Sequence, residues 1–163
     1  MYIFFDKRGE ALIEALIAIT VIVVGLLGMY SLLSRSLSLT RVVTDRYIAA
    51  NLAAEGIEVV KNLIDTNVLK HKPWNQGLAG SGDYEVSYNS TAVAPFLGKV
   101  LFYDAQDGLY SYEIGGAPTK FTRKIILAPK GSKEIQVNSK VSWVSRGGAS
   151  FEINLEDHFL NSK

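Results

Sequence analysis

The chain has 163 residues, a net charge of +1 and no cysteine. Disulfides, thiol nucleophiles and cysteine-held metals are therefore excluded, and no strong electrostatic footprint for nucleic acid is present. The only imidazoles are His71 and His158, far apart in sequence; the hydrophobic content of 48% is high for a small soluble domain, and most of the excess lies near the N-terminus.

The first element begins in the stretch RGEALIEALIAI. Lys7 and Arg8 precede Gly9, an apolar run starts, and Glu14 stands inside its first turns. From Ala15 to Ser34 no residue is charged. About 20 residues of α-helix span roughly 30 Å, the thickness of a bilayer core. About eleven Leu, Ile and Val favour insertion by about 3–7 kcal/mol, less the smaller costs of Thr20, Gly25, Gly28 and Ser31. A buried core helix seldom runs this long without charge. A cleaved secretory signal needs a shorter apolar core and a small-residue cleavage site. The following SLLSRSLSLTRVV offers no such site and keeps a helical rhythm, so the reading is a retained membrane helix. Arg35 and Arg41 follow it as closely as Lys7 and Arg8 precede it, which leaves orientation nearly balanced on charge alone.

Glu14 is the anomaly. A carboxylate costs about 2.5–3.5 kcal/mol at the bilayer centre and less near the interface. Either it snorkels to the headgroups, or it awaits a positive partner. Lys7 and Arg8 lie within two turns, and a partner from another chain is the second option.

Gly9 followed by EALIEALIAI resembles the class III prepilin signal of type IV pilins and type II secretion pseudopilins. That family has a short basic leader ending in glycine and a glutamate at the fifth mature position, here Lys7, Arg8, Gly9 and Glu14. The resemblance implies a leader over residues 1–9 and a transmembrane helix over 10–34. A prepilin peptidase would cut between Gly9 and Glu10 on the cytoplasmic face, with N-methylation of the new amine. Glu14 of an incoming subunit would then pair with the freed amine at Glu10 of a neighbour. Opposite charges attract strongly in a low dielectric, and one left unpaired is costly, so the pair would set axial register. The implied partners are the peptidase, other pilin subunits and the assembly machinery, with membrane lipid around the helix before assembly. No cofactor is implied. The implied location is the cytoplasmic membrane, crossed once with the N-terminus cytoplasmic and the head outside, then an extracellular filament. The sequence departs from the family at Glu10, where an apolar residue is usual. A carboxylate there suits the helix dipole, yet it repels Glu14 four residues on. The mid-helix proline of major pilins is also absent, with Gly25 and Gly28 offering bending or close packing instead.

The helical pattern continues as an amphipathic helix over residues 35–65. Leu37, Val42, Tyr47, Ile48, Leu52, Ile57, Val60, Leu63 and Ile64 recur on one broad face, and Arg41, Asp45, Arg46, Glu55, Glu58 and Lys61 fill much of the rest. The rhythm fades near Asp65, and Pro73 with Gly77, Gly80 and Gly82 marks a loop. One helix from about Glu10 to about Ile64, roughly 80 Å long, is expected. Mixed charge argues against a calmodulin-target or membrane-surface helix, and the lack of a strict heptad argues against a coiled coil.

Residues 66–163 should form a β-rich head. SGDYEVSYNS, KVLFYDAQDGLYSYE, FTRKIILAP, EIQVNSKVSWV and SFEINLE alternate with period two. Ile135, Val137, Val141 and Trp143 share one face, as do Phe151, Ile153 and Leu155. AQDG and RGG read as hairpin turns, and DHFLNSK as the end of the last strand. The sheet needs a cover, and the helix from Tyr47 to Ile64 is the natural one. The fold expected is α+β, a long N-terminal helix packed on a C-terminal antiparallel sheet, pilin-like. AANLAAEGIEVVKN and FTRKI…VSWVSRG more loosely resemble minor pilins of the pilus-modification class.

Other chemistry is sparse. Asp104, Asp107 and Gly108 form part of a calcium-loop pattern without its full alternating set or terminal glutamate, so a turn is expected. Asn89-Ser90-Thr91 fits a glycosylation triplet. His158 beside Asp157 has no nucleophile motif with it and reads as a surface or strand-end histidine. Trp74, Tyr84, Tyr88, Tyr103, Tyr110 and Tyr112 offer an aromatic surface, the alternative being that about half of them are core residues. No catalytic constellation, phosphate loop or zinc spacing occurs. The expected function is a structural minor pilin or pseudopilin of a type IV pilus-like filament. The alternative is a single-pass, membrane-anchored, surface-exposed binding module that does not polymerise. A DNA-uptake pseudopilin is a third reading, weakened by the near-neutral charge.

Overall fold

The computed structural model describes residues 7–113 and 115–161. Residues 1–6, most of the expected leader, lie outside them, and Lys7 and Arg8 are described through their backbone alone. One helix, α1, runs Lys7–Leu69. It therefore exceeds the expected bounds at both ends. At its C-terminus the apolar rhythm does fade at Asp65, but hydrogen bonding carries the helix a turn further. Lys70 N donates to Thr66 O and Lys72 N to Asn67 O. The Asn67 side-chain amide donates to Trp74 O at 3.2 Å and Gln76 O at 3.0 Å, fixing the following loop. His71, at φ 54°, takes the left-handed position where a glycine usually ends a helix.

The chain forms two units, divided between Thr44 and Asp45. In the first, every residue from Gly9 to Arg41 is exposed. The segment is long and apolar enough to cross a membrane. Its threonines hide their hydroxyls in the helix itself. Thr20 donates to Leu16 O at 2.7 Å, Thr40 to Ser36 O at 3.0 Å and Thr44 to Thr40 O at 2.9 Å. A hydroxyl satisfied four residues back places little polar demand on its surroundings.

The second unit holds two antiparallel sheets. The larger contains β1 (Gly82–Glu85), β2 (Ala94–Pro95), β6 (Thr122–Lys130), β7 (Glu134–Val144) and β8 (Ser150–Leu160), in the order β2-β1-β6-β7-β8. The smaller contains β3 (Phe102–Tyr103), β4 (Tyr110–Ser111) and β5 (Ala117–Pro118), in the order β4-β3-β5. Both expected hairpins are present. Gly108 and Gly148 adopt φ of 71° and 80°, and their N–H groups donate to Asp104 O and Ser145 O. Only a residue without Cβ reaches that region readily. The alternation in SGDYEVSYNS yields a strand of only four residues. A turn cuts it short, in which Ser87 N donates to the Ser90 hydroxyl at 2.8 Å.

The helix covers the large sheet as the alternation requires. Ala49, Leu52, Ala53, Gly56, Val60 and Ile64 are buried and recur at three- and four-residue steps. Leu37 and Tyr47, expected on this face, are instead exposed; the seam begins at Ala49. Opposite lie Ile125 and Leu127 of β6 and Ile135, Val137, Val141 and Trp143 of β7, all buried. Each buried aliphatic side chain contributes about 1.5–3 kcal/mol. Two clusters result, one around Val60, Leu78 and Val137, the other around Leu52, Leu101 and Trp143.

Candidate functional site

Glu10 and Glu14 lie one helical turn apart on the exposed helix face that also carries Ile13, Ile17 and Ala18. Among the described residues neither carboxylate has an ion-pair or hydrogen-bond partner. Leu12, Ile13, Leu16 and Ile17 around them are each more than half exposed. Among the described residues nothing lies within 4 Å of where a Cβ would stand on Gly9, Gly25 or Gly28.

A second polar group lies inside the head, where sequence reasoning did not place one. Arg123 of β6 is fully buried between the sheet and α1. Its guanidinium donates to Glu55 Oε1 at 2.9 Å, to Leu52 O at 3.0 Å and to Val86 O at 2.5 Å. The Tyr112 hydroxyl donates to the Arg123 carbonyl at 2.9 Å. Burial, partly offset by the nearby guanidinium, pushes the Tyr112 phenol up to about 12. One side chain thus ties the helix to β6 and to the end of β1.

Beside this joint the helix comes very close to the sheet. A Cβ on Gly56 would meet the Ser139 hydroxyl at 2.4 Å, Ile125 Cδ1 at 2.8 Å and Arg123 Cδ at 3.2 Å. The small residues Ala49, Ala53 and Gly56 permit that approach. The signal for Arg123 was present in FTRKIIL, since alternation puts Arg123 on the face of Ile125 and Leu127. A charge on an apolar face announces a partner. Glu55 was read only as part of the solvated side of the helix.

On the opposite face of the sheet His158 is exposed in β8. Its Nδ1 lies 2.6 Å from Glu134 Oε1 and its Nε2 3.2 Å from Glu156 Oε1. These two carboxylates raise the imidazole above its usual value. Glu156 is held below the ordinary carboxylate range, first by the Asn138 amide at 2.8 Å and then by His158.

The Asp104–Gly108 segment is a turn, in which Asp104 Oδ1 accepts from Gln106 N at 2.8 Å. Among the described residues no cluster of three or more metal-binding side chains occurs. Asn89 is exposed and its amide donates to Glu113 at 3.2 Å. Of the six aromatics weighed as a surface or as half core, none is fully buried. Tyr88 and Tyr103 are exposed and the other four are half-buried. The fully packed aromatics are Phe121 and Trp143, whose ring centroids lie 5.9 Å apart.

The architecture is therefore α+β, one long and partly apolar N-terminal helix packed on a C-terminal antiparallel sheet, the arrangement of pilin-like proteins. No family model, curated protein or solved structure matches the chain.

Proposed function

We propose that this chain is a structural minor pilin or pseudopilin of a type IV pilus-like filament, processed after Gly9 and assembled through its N-terminal helix. The observation that carries the reading is the helix surface from Gly9 to Arg41, exposed throughout and bearing near its start Glu14, which has no partner among the described residues. A surface of that kind needs lipid or protein around it. Its carboxylate needs a cation that the described part of its own chain does not supply. In this reading residues 1–9 are the leader, with Lys7 and Arg8 its basic pair. Residues 10–34 span the cytoplasmic membrane, 35–65 continue as amphipathic helix, and 66–163 form the external head. Prepilin peptidase frees the amine of Glu10, and Glu14 of the next subunit neutralises it.

Intact-mass analysis of the native protein, from membranes and from sheared filaments, tests this. The expected species begins at Glu10 and carries one methyl group. Glu14→Ala should lower the amount in filaments while leaving the head folded. A chain that keeps Met1, stays out of filaments and tolerates Glu14→Ala would instead be the membrane-anchored binding module.

A further inference from the structure

β8 is an outermost strand of the large sheet and is eleven residues long. The ladder fixes which way its backbone points. Ser145 N donates to Ala149 O at 2.9 Å, and Asn161 N donates to Lys133 O at 2.7 Å. Every β7–β8 pair between them keeps the same register. Hydrogen-bonded and non-bonded pairs alternate in an antiparallel ladder. Odd-numbered residues of β8 therefore bond to β7, while Glu152, Asn154, Glu156 and His158 direct N–H and C=O to the free edge. The His158 N–H is taken by Asp157 Oδ1 at 2.8 Å. Among the described residues, the outward N–H groups of Glu152, Asn154 and Glu156 have no acceptor.

The side chains complete the picture. Towards the helix, Phe151 and Ile153 are half-buried and Leu155 is 37% exposed, an apolar row left partly open at the rim. On the outer face Glu152 and Glu156 make the edge acidic. Proteins often guard a free edge with charge. Here the guard is concentrated at Glu156–His158, where Asp157 closes the backbone. Glu152 is already answered by Lys140 at 3.3 Å, and Asn154 is neutral. A second copy is a poor occupant. Antiparallel self-pairing about Asn154 would set Glu152 against Glu156 twice, and like charges directly opposite are destabilising. The other edge of the sheet cannot serve either, because β2 has two residues and one is Pro95.

We propose that the Ser150–Glu156 edge of β8 is a docking site for an extended segment of a different protein, added as a sixth strand. Its backbone pairs with Glu152, Asn154 and Glu156. Its outward side chains are Lys or Arg facing Glu152 and Glu156, which stay about half exposed beside Lys140 and His158, and its inward side chains are apolar and cover Ile153 and Leu155. This is strand addition, in which main-chain bonds give affinity and alternate side chains give specificity. It stands independently of how the N-terminal helix is used.

The test uses the full-length, isotope-labelled chain in zwitterionic detergent and a capped synthetic peptide alternating valine and lysine. A valine–glutamate peptide is the control. The expected result is slowed amide exchange at Glu152, Asn154 and Glu156 with the lysine peptide alone. Asn154→Pro removes an outward donor without touching the β7 ladder and should abolish that protection. Should this variant fail to fold, the Glu152→Lys, Glu156→Lys double variant decides. It should weaken lysine-peptide binding by about tenfold or more and transfer preference to the glutamate peptide. Equal binding of both peptides, protection elsewhere on the head, no binding at all, or concentration-dependent protection of β8 without peptide would each overturn the proposal.

Discussion

Arg123 and Glu55 are 68 residues apart in sequence, yet their side chains meet at 2.9 Å, and the two ends of the pair differ in exposure. The guanidinium is fully buried, while the Glu55 side chain keeps 30% of its surface. That asymmetry decides how the head responds to losing either partner. Arg123→Ala leaves a cavity and strips Val86 O of its donor, and should cost about 3–5 kcal/mol. Arg123→Met keeps the aliphatic stem, and the freed Glu55 can rehydrate, so its loss should be smaller. Glu55→Ala strands a cation in the core and should destabilise more than Arg123→Met. Urea unfolding followed by tryptophan fluorescence checks the order; the reverse order would mean that the pair adds little beyond packing.

Gly56→Ala should destabilise the head by about 1–3 kcal/mol, the usual effect of overpacking. It would do so despite the roughly 1 kcal/mol that alanine gains over glycine in a helix. The added methyl meets the Ser139 hydroxyl and Ile125 Cδ1. Combining it with Ser139→Gly should recover part of the loss, because the nearest obstruction is then gone. A stabilised single variant would show that the helix–sheet distance can relax.

The His158 cluster should give the head a shallow pH optimum. The imidazole is raised above 6.5 in the folded chain. Its contribution is therefore complete below 6.5 and lost as pH rises through the folded value. Glu156 is lowered from 4.5, so its contribution is present above 4.5 and lost as pH falls through the folded value. The two overlap between about 4.5 and 6.5. NMR titration of the His158 ring should find it raised, and Glu134→Gln should bring it down.

Tyr112 sets the alkaline limit. Its phenol is raised from 10.0 to about 12, so its contribution is complete below 10 and lost as pH climbs to about 12. Phenolate absorbance should show one late-ionising tyrosine that disappears in Tyr112→Phe. The same change removes the hydrogen bond to the Arg123 carbonyl and should cost about 1 kcal/mol.

Under the filament reading, Glu10 weakens the contact that Glu14 makes. Glu10→Gln removes a like charge one turn away and should raise the fraction of subunits recovered in filaments. Glu14→Gln should lower it, with the unfolding midpoint of the head unchanged in both. Quantitative immunoblotting of sheared filaments provides the comparison.

Periodicity made most of this architecture legible. A charge-free run of membrane length can hardly be anything but helix, and the strands β6, β7 and β8 alternate cleanly enough to name their buried faces. What escaped was set by tertiary contact. β2 and β5 are two residues each and both contain proline, so no local pattern marks them. The helix end at Leu69 depends on Asn67 bonding to the loop around Trp74. Gly56 looks like a blemish in a helix until Ser139 is seen opposite. Arg123 is hidden for a different reason, because the alternation of FTRKIIL marks the face it lies on but not Glu55, its partner 68 residues away. At the N-terminus the sequence could mark Gly9, Glu10 and Glu14 by their order, while among the described residues no cation stands against Glu14.

The internally bonded threonines of the N-terminal helix have one more consequence. Acyl chains and the flank of a neighbouring helix are both hydrocarbon, so exchanging one for the other releases little solvation energy from Leu, Ile and Val. With Thr20 already bonded to Leu16, that hydroxyl is also nearly indifferent to the exchange. Between Gly9 and Ser34 the only charges are Glu10 and Glu14. Two side chains thus hold most of the polarity by which this helix could tell a bilayer from a bundle.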